Sequence, residues 1–437
     1  MATTQSVSNP DAPALEDLQR CVRCGYCLTE CPTYVKLGSE AESPRGRLHL
    51  IDSLVRGRVS ATPELLVHLD RCIQCRACET VCPSAVPFGR IMERGRAMAL
   101  RPGSGPLSWR LRAFVAGLLL PYPERLRFAA GALRAYQRSG LQRFVRGTGV
   151  LKLLPGQLHE IEQFFPSLPD AVAAPLAAMR PSETPAHRVA LLSGCVTPIL
   201  YPNLNEATLR VLLRNGCEVL VPTSQTCCGA LHVHGGDLET ARRLARRNID
   251  AFLPLGVEAV VVNAAGCGST MKEYGNLLKD DPEYAESAAA FSALVRDVSE
   301  YLVALPFRTE LGKISGRVTY QDSCHLAHAQ GLKTQPRAIL QAIPGLEFVE
   351  MPRSDSCCGS GGVYNLTHPQ ISWRLLRGKM KAVADARADI VATANPGCMM
   401  QLEAGLRRFG PQKTQTAHVI ELLDEAYRAH DNESETD

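Results

Sequence analysis

An α+β multidomain fold is predicted by three features of this 437-residue chain. Two cysteine runs crowd its start, an Arg- and Pro-rich helical stretch follows them, and a strand–helix pattern then occurs twice. The expected segments are 1–95, a small α-helical cysteine-rich domain; 96–185, a basic helical linker; and 186–312 and 313–437, two copies of an α/β module marked by Cys-Cys-Gly.

The first element is the tandem of cysteine runs. Cys21, Cys24 and Cys27 lead to Cys31-Pro32, and Cys72, Cys75 and Cys78 lead to Cys82-Pro83. Each has the C-x2-C-x2-C-x3-C-P spacing of bacterial ferredoxins. Two-residue gaps let three thiolates wrap one corner of an iron–sulfur cube, and the proline turns the fourth cysteine away. In two-cluster ferredoxins that fourth cysteine serves the other cluster. The expected ligands of one [4Fe–4S] cluster are therefore Cys21, Cys24, Cys27 and Cys82, and of a second Cys72, Cys75, Cys78 and Cys31. Two complete runs exclude a zinc knuckle. Between them, Leu48, Leu50, Ile51, Leu54 and Val55 have helical spacing within Arg45–Gly57, and Pro63–Leu69 continues the pattern. This insertion predicts a helical ferredoxin-like domain rather than one built on hairpins. Arg45 and Arg47, at the start of the first helix, either sit beside the anionic clusters or are surface charge.

The basic stretch from Arg90 to Arg146 carries arginines at 94, 96, 101, 110, 112, 125, 127, 134, 138 and 143, broken by Pro102, Pro106, Pro121 and Pro123. Short amphipathic helices are expected. Their basic face fits a solvated linker, a docking face for a partner subunit, or peripheral contact with the inner face of the cytoplasmic membrane. The longest apolar run, Ala113–Leu120, is too short to span a bilayer.

In the second half, Val189–Leu192 leads to Cys195, Val219–Val221 to Cys227-Cys228-Gly229, and Ala259–Val262 to Cys267. Val318–Tyr320 then leads to Cys324, Leu346–Val349 to Cys357-Cys358-Gly359, and Asp389–Ala392 to Cys398. Helical patterns separate the strands at Ala207–Arg214, Ala241–Phe252, Arg337–Gln341 and Ile371–Ala384. The spacings agree: 227 − 195 = 32 against 357 − 324 = 33, and 267 − 228 = 39 against 398 − 358 = 40. Internal duplication explains this. In a parallel α/β sheet the carboxyl ends of the strands share one edge, where ligand sites form. Cys195, Cys227, Cys228 and Cys267 are a candidate third metal site, and Cys324, Cys357, Cys358 and Cys398 a candidate fourth. The alternative is that these cysteines are packing residues or a redox-active pair. Cys217 falls outside both patterns and reads as a buried structural thiol; His232, His234, His325 and His328 read as hydrogen-bonded loop histidines.

Composition excludes several functions. A formal charge of +4 and 5% aromatic residues offer nucleic acid neither an electrostatic footprint nor a stacking platform. Seventeen cysteines, an odd number, with no apolar signal segment at the N-terminus, predict a reducing cytoplasmic setting with thiolates kept for metal.

The tandem runs followed by two Cys-Cys-Gly modules are similar to the cysteine-rich subunits of heterodisulfide reductase-like proteins. The segments Cys31-Pro32-Thr33-Tyr34, Pro44-Arg45-Gly46-Arg47, Leu69-Asp70-Arg71-Cys72, Arg247-Asn248-Ile249-Asp250, Lys272-Glu273-Tyr274-Gly275, His328-Ala329-Gln330 and Thr367-His368-Pro369 resemble the iron–sulfur subunits of bacterial glycolate oxidases. The resemblance implies an electron-transfer subunit of a complex whose FAD-binding partner subunits oxidise glycolate to glyoxylate, and in some cases D-lactate to pyruvate. Electrons would pass to a quinone or another acceptor. It also leaves open the iron–sulfur subunit of a lactate or anaerobic glycerol-3-phosphate dehydrogenase, and a heterodisulfide-reductase-like catalytic subunit. This chain shows no G-x-G-x-x-G after a strand, so flavin is expected on the partners and no catalytic residue here. The reductase pattern ends each module with C-x-x-C, where this chain has single Cys267 and Cys398. A five-cysteine cluster and disulfide catalysis are therefore not expected.

Overall fold

The computed structural model describes residues 11–100, 117–119, 121–152, 157–169, 176–181, 184–411 and 413–434. The linker positions from 101 to 116, with Arg101, Arg110 and Arg112, lie outside the described residues. The chain forms two compact units, Met1–Gly117 with Leu231–Ala241, and Leu118–Ala230 with Arg242–Asp437.

The first unit is helical among its described residues. Its helices are α1 (Leu15–Gln19), α2 (Cys27–Glu30), α3 (Pro32–Leu37), α4 (Pro44–Val55), α5 (Pro63–Asp70), α6 (Ala77–Thr80) and α7 (Phe88–Ala99). α4 and α5 start alike: Ser43 and Thr62 accept the Gly46 and Leu65 amides, and a proline stands at the first helical position of each. The apolar residues spaced three and four apart on α4, Leu48, Ile51 and Leu54, are buried against Leu65, Leu66, Leu69, Ile91 and Met92. α4 and α7 approach closely, because a Cβ on Gly95 would stand 2.8 Å from Ile51 Cδ1.

The second unit begins with the linker helices α8 (Pro123–Arg138) and α9 (Leu141–Thr148). Their arginines are partly committed inside the protein. Arg146 Nε lies 3.0 Å from both carboxylate oxygens of Glu162, and Arg134 donates to the Pro169 carbonyl at 2.8 Å. Phe128 and Phe144 stand exposed, at 82% and 64%. Phe164 stacks on Trp373 at 3.9 Å and fastens the end of the linker to the second α/β module.

Each module is a four-stranded, wholly parallel sheet. The first has β1 (His187–Leu192), β2 (Cys217–Leu220), β3 (Ala259–Val262) and β4 (Val295–Asp297), in the order β2-β1-β3-β4. The second has β5 (Gly316–Tyr320), β6 (Leu346–Val349), β7 (Ile390–Thr393) and β8 (Gln415–His418), in the order β6-β5-β7-β8. Duplicated topology thus accompanies the duplicated spacing. β4 and β8 extend the three strands expected in each half. Both lie at a sheet edge, are short, and are polar enough to lack an apolar run.

Alternate residues of the central strands feed two cores, as expected for strands buried on both faces. Val189, Leu191 and Val261 join Val318, Tyr320 and Ala392 in one core shared by the modules. Ala190, Leu192, Val260 and Val262 pack with Phe252, Tyr274 and Phe291 on the first module's other face. The helices α10 (Pro202–Arg214) and α17 (Val419–Ser434) close the shared core, and Arg210 grips the buried Asp424 with two hydrogen bonds of 2.9 and 2.8 Å. Among the described residues no helix is long and apolar enough to cross a membrane.

Candidate metal centres

The two cysteine runs fold into matching loops. In the first, Arg23 (φ 59°) and Gly25 (φ 87°) flank Cys24 in the left-handed region; in the second, Gln74 (φ 57°) and Arg76 (φ 61°) flank Cys75 in the same way. Three of these residues carry a side chain, and holding each there costs about 1–2 kcal/mol. Alternation between right- and left-handed backbone turns successive N–H groups to one side and makes an anion-binding concavity. Side chains hold the second loop in place: Gln74 donates to the His234 carbonyl at 3.1 Å, and Arg76 donates to Glu79 at 2.9 Å.

Each loop faces a hollow. Cys21, Cys24, Cys27 and Cys82 line one that encloses about 440 Å³ of unfilled space, partly open to solvent. Cys31, Cys72, Cys75 and Cys78 line another of about 300 Å³, and Cys78 also forms part of the wall of the first. Burial divides the eight thiols along the same line: Cys31, Cys72, Cys75 and Cys78 are all buried, whereas Cys24 is exposed and Cys21, Cys27 and Cys82 are half-buried. Burial raises the Cys27 thiol to about 11 and the Cys78 thiol well above its ordinary range. Thiols in this condition become thiolates when a cationic core takes the place of their protons. Two sets of four thiols, each around its own hollow, fit a pair of cuboidal iron–sulfur clusters.

Both arginines of α4 reach these loops. Arg45 donates to the Arg23 carbonyl at 3.2 Å, and its own amide is directed at Cys27. Arg47 is 1% exposed, and its Nη1 lies 4.0 Å from Cys31 Sγ and 3.0 Å from Thr33 Oγ1. Glu42 is equally buried and collects Arg47 (2.7 Å), Arg71 (2.7 Å) and His68 Nδ1 (2.8 Å). Of the two alternatives open for these arginines, the structure places both beside the cysteine loops.

In the second unit the remaining motif cysteines gather at the carboxyl ends of the strands, on either side of the switch point between β1 and β3 and its copy between β5 and β7. Cys195 Sγ lies 3.6 Å from Cys227 Sγ, Cys228 Sγ lies 3.0 Å from Cys267 Sγ, and Cys228 also bonds Cys227. In the second module Cys357 bonds Cys324 and Cys358, and Cys358 in turn contacts Cys398. Hydrogen bonding to Cys227, reinforced by burial, drives the Cys195 thiol well above its ordinary range, and bonding to Cys357 lifts Cys358 to about 12. Among the described residues no three Cys, His, Asp or Glu side chains are spaced to hold a single metal ion. Within each set the thiols bond one another pairwise, an arrangement that suits a polynuclear cationic core on ligation.

The Cys-Cys-Gly loops are held from several sides. Tyr274 Oη donates to the Cys228 carbonyl at 2.8 Å, and Asn248 accepts the Thr226 amide and donates to the Cys227 carbonyl. In the second module Gln401 donates to the Cys358 carbonyl and Ser372 to the Gly359 carbonyl. Gly359, at φ +93°, leaves no room for a side chain: a Cβ there would meet Ser372 O at 2.9 Å.

Residues 17–86 match the 4Fe-4S dicluster domain family, residues 110–164 the family described as glycolate oxidase iron-sulfur subunit, linker region, and residues 189–272 and 318–403 the CCG cysteine-rich domain. The chain is 42% identical over 420 residues to the "Probable glycolate oxidase iron-sulfur subunit" of Bacillus subtilis (strain 168), covering 94% of each chain. It is 35% identical to the glycolate oxidase iron-sulfur subunit of Escherichia coli (strain K12), again over 94% of each. The chain belongs to the family of glycolate oxidase iron–sulfur subunits. A more distant relative, lactate utilization protein A of Oceanobacillus iheyensis, is 33% identical over 54% of this chain and 96% of its own.

Other residues of this glycolate oxidase-type subunit are placed as follows. Cys217 opens β2 fully buried, and burial raises its thiol to about 11, as a structural cysteine requires. His234 pairs with Glu93 at 3.2 Å and His328 meets the Asp355 carbonyl at 3.2 Å. His232 departs from the expected hydrogen-bonded histidine: it is buried, and among the described residues neither ring nitrogen has a hydrogen-bond partner. The buried Lys379 and Glu42 were not singled out by the sequence, since a charge within a helical pattern reads as surface.

Proposed function

We propose that this chain is the electron-transfer subunit of a flavin-dependent glycolate dehydrogenase complex that also accepts D-lactate. Similarity to glycolate oxidase iron–sulfur subunits over 94% of the chain carries this reading. FAD on partner subunits takes two electrons from the hydroxy acid and releases them singly into this chain. Cys21, Cys24, Cys27 and Cys82 hold one [4Fe–4S] cluster, and Cys72, Cys75, Cys78 and Cys31 the other. Cys195, Cys227, Cys228 and Cys267, and Cys324, Cys357, Cys358 and Cys398, hold further iron–sulfur centres. The clusters supply one-electron redox capacity. The chain's own residues shield them, set their potentials and keep water from the buried set. The working segments are 1–95, 96–185, 186–312 and 313–437, and electrons leave to a quinone or another carrier. The exposed Phe128 and Phe144 among arginines support peripheral contact of the linker with an anionic membrane surface.

Anaerobic purification of the tagged chain from its native host tests this reading. A co-purifying flavoprotein, at least eight iron atoms per chain and glycolate-dependent dye reduction by the complex are expected. A chain that carries its iron but captures no flavoprotein, or a complex inert to glycolate and D-lactate, would overturn it.

A further inference from the structure

Lys379 is a buried cation without a carboxylate partner. It stands on α15 (Pro369–Ala386), is 2% exposed, and among the described residues forms no ion pair. Its Nζ donates to the carbonyls of Arg353 (3.1 Å) and Ser354 (3.0 Å), with Met351 Sδ at 4.0 Å. These carbonyls belong to the loop that runs directly into Cys357-Cys358. The nearby acids are engaged elsewhere: Asp322 takes two 2.8 Å bonds from Arg337, and Asp355 pairs with Lys333 at 3.2 Å. Burying an ammonium group is costly unless a negative charge compensates it. Burial accordingly lowers the Lys379 ammonium from its ordinary range, and the charges of Cys358 and Cys357 are foremost among the groups that oppose this.

The first module lacks this cation. Asn248, on α11 (Leu238–Phe252), holds the corresponding loop through the Thr226 amide (2.9 Å) and the Cys227 carbonyl (3.1 Å). It follows Cys228 by 248 − 228 = 20 positions, and Lys379 follows Cys358 by 379 − 358 = 21. The duplicated halves therefore carry a neutral amide in one copy and a charge in the other, each on the helix that follows the Cys-Cys loop and each bonded to the chain around or leading into it.

We propose that Lys379 is a positioning residue for an anionic iron–sulfur centre on Cys324, Cys357, Cys358 and Cys398, holding the loop that presents Cys357 and Cys358 and raising the centre's reduction potential. The proposal rests on reading these four cysteines as ligands. Four thiolates outweigh the charge of the core they bind, and one-electron reduction adds a further negative charge. A fixed ammonium in a medium of low dielectric favours the reduced form.

The test uses the full chain, purified anaerobically as the wild type, K379M, K379R and C358A. Redox titration with dithionite is followed by low-temperature EPR, and iron is counted per chain. The ferredoxin-type signals serve as an internal reference. The signal that C358A abolishes should titrate at a lower potential in K379M and close to the wild type in K379R. Loss of that centre's iron in K379M with retention in K379R also supports the role of the charge. An unshifted potential in K379M at wild-type iron content would overturn it, as would equal iron loss in both lysine variants with the reference signals intact. If C358A keeps the full wild-type iron content and spectrum, the ligand reading fails instead.

Discussion

Arg47 is one buried side chain placed where both stability and redox chemistry would feel it. Its guanidinium lies between Glu42 and Cys31, with Nε on the His68 carbonyl at 2.8 Å. Arg47→Gln leaves Glu42 with Arg71 and His68 only, so a loss of about 3 kcal/mol is expected, at the low end for breaking a buried pair. The cluster that uses Cys31 should also be harder to reduce, and EPR titration reads that as a lower midpoint potential; an unchanged potential would remove Arg47 from the redox role. His418 gives a residue-scale prediction in pH. Burial lowers it from 6.5 to about 4, and its Nδ1 accepts the Ile420 amide. The unfolded chain takes up this proton below 6.5 and the folded chain only near 4. Stability therefore falls as pH drops between these values, by up to about 3 kcal/mol. Asp297 acts in the opposite sense, since burial raises it from 3.8 to about 6. Comparing the wild type with His418→Asn isolates the histidine: the wild type's unfolding free energy relative to the variant's should fall as pH drops from 6.5 to 4, and a difference that does not change with pH would contradict the assignment.

At the scale of elements, function depends on loops whose backbones the surrounding helices fix. Gly359→Ala forces a Cβ against the Ser372 carbonyl at a left-handed φ, so the loop must shift. The expected result is loss of iron from the second module with the ferredoxin-type EPR signals intact, and full iron content would show that the loop tolerates the change. Much of this architecture was legible in the sequence. The β3 range Ala259–Val262 agrees with the apolar run residue for residue, because a fully buried strand consists of uninterrupted apolar side chains, and the partly exposed edge strand β6 agrees with the predicted Leu346–Val349. β4 and β8 escaped notice, since Val295-Arg296-Asp297 and Gln415-Thr416-Ala417-His418 are short and polar and offer no apolar run. The convergence of each thiol quartet was legible from spacing, whereas Lys379 and Arg47 required the fold, since only tertiary burial distinguishes them from ordinary helix-surface cations.

Across the second unit, the two modules pack into one body. Their sheets share a core in which Leu191 and Val261 of one copy pack with Val318 and Tyr320 of the other, and the Arg210–Asp424 pair closes its edge. A single calorimetric transition is expected for both modules. Arg210→Met should lower its temperature by leaving buried Asp424 with Arg428 alone, and should not alter the ferredoxin-type spectrum. Two separate module transitions would show that the shared core does not couple them. In the first unit, the proposed crossed ligation would make the two cysteine runs one folding unit, since each would supply a thiolate to the other's cluster. Low-temperature EPR of the dithionite-reduced cysteine variants tests this most directly. Cys31→Ser should abolish or alter the signal lost in Cys75→Ser, and Cys82→Ser the one lost in Cys24→Ser. If Cys31→Ser instead removes the signal that Cys24→Ser removes, each run holds its own cluster and the crossed assignment is wrong.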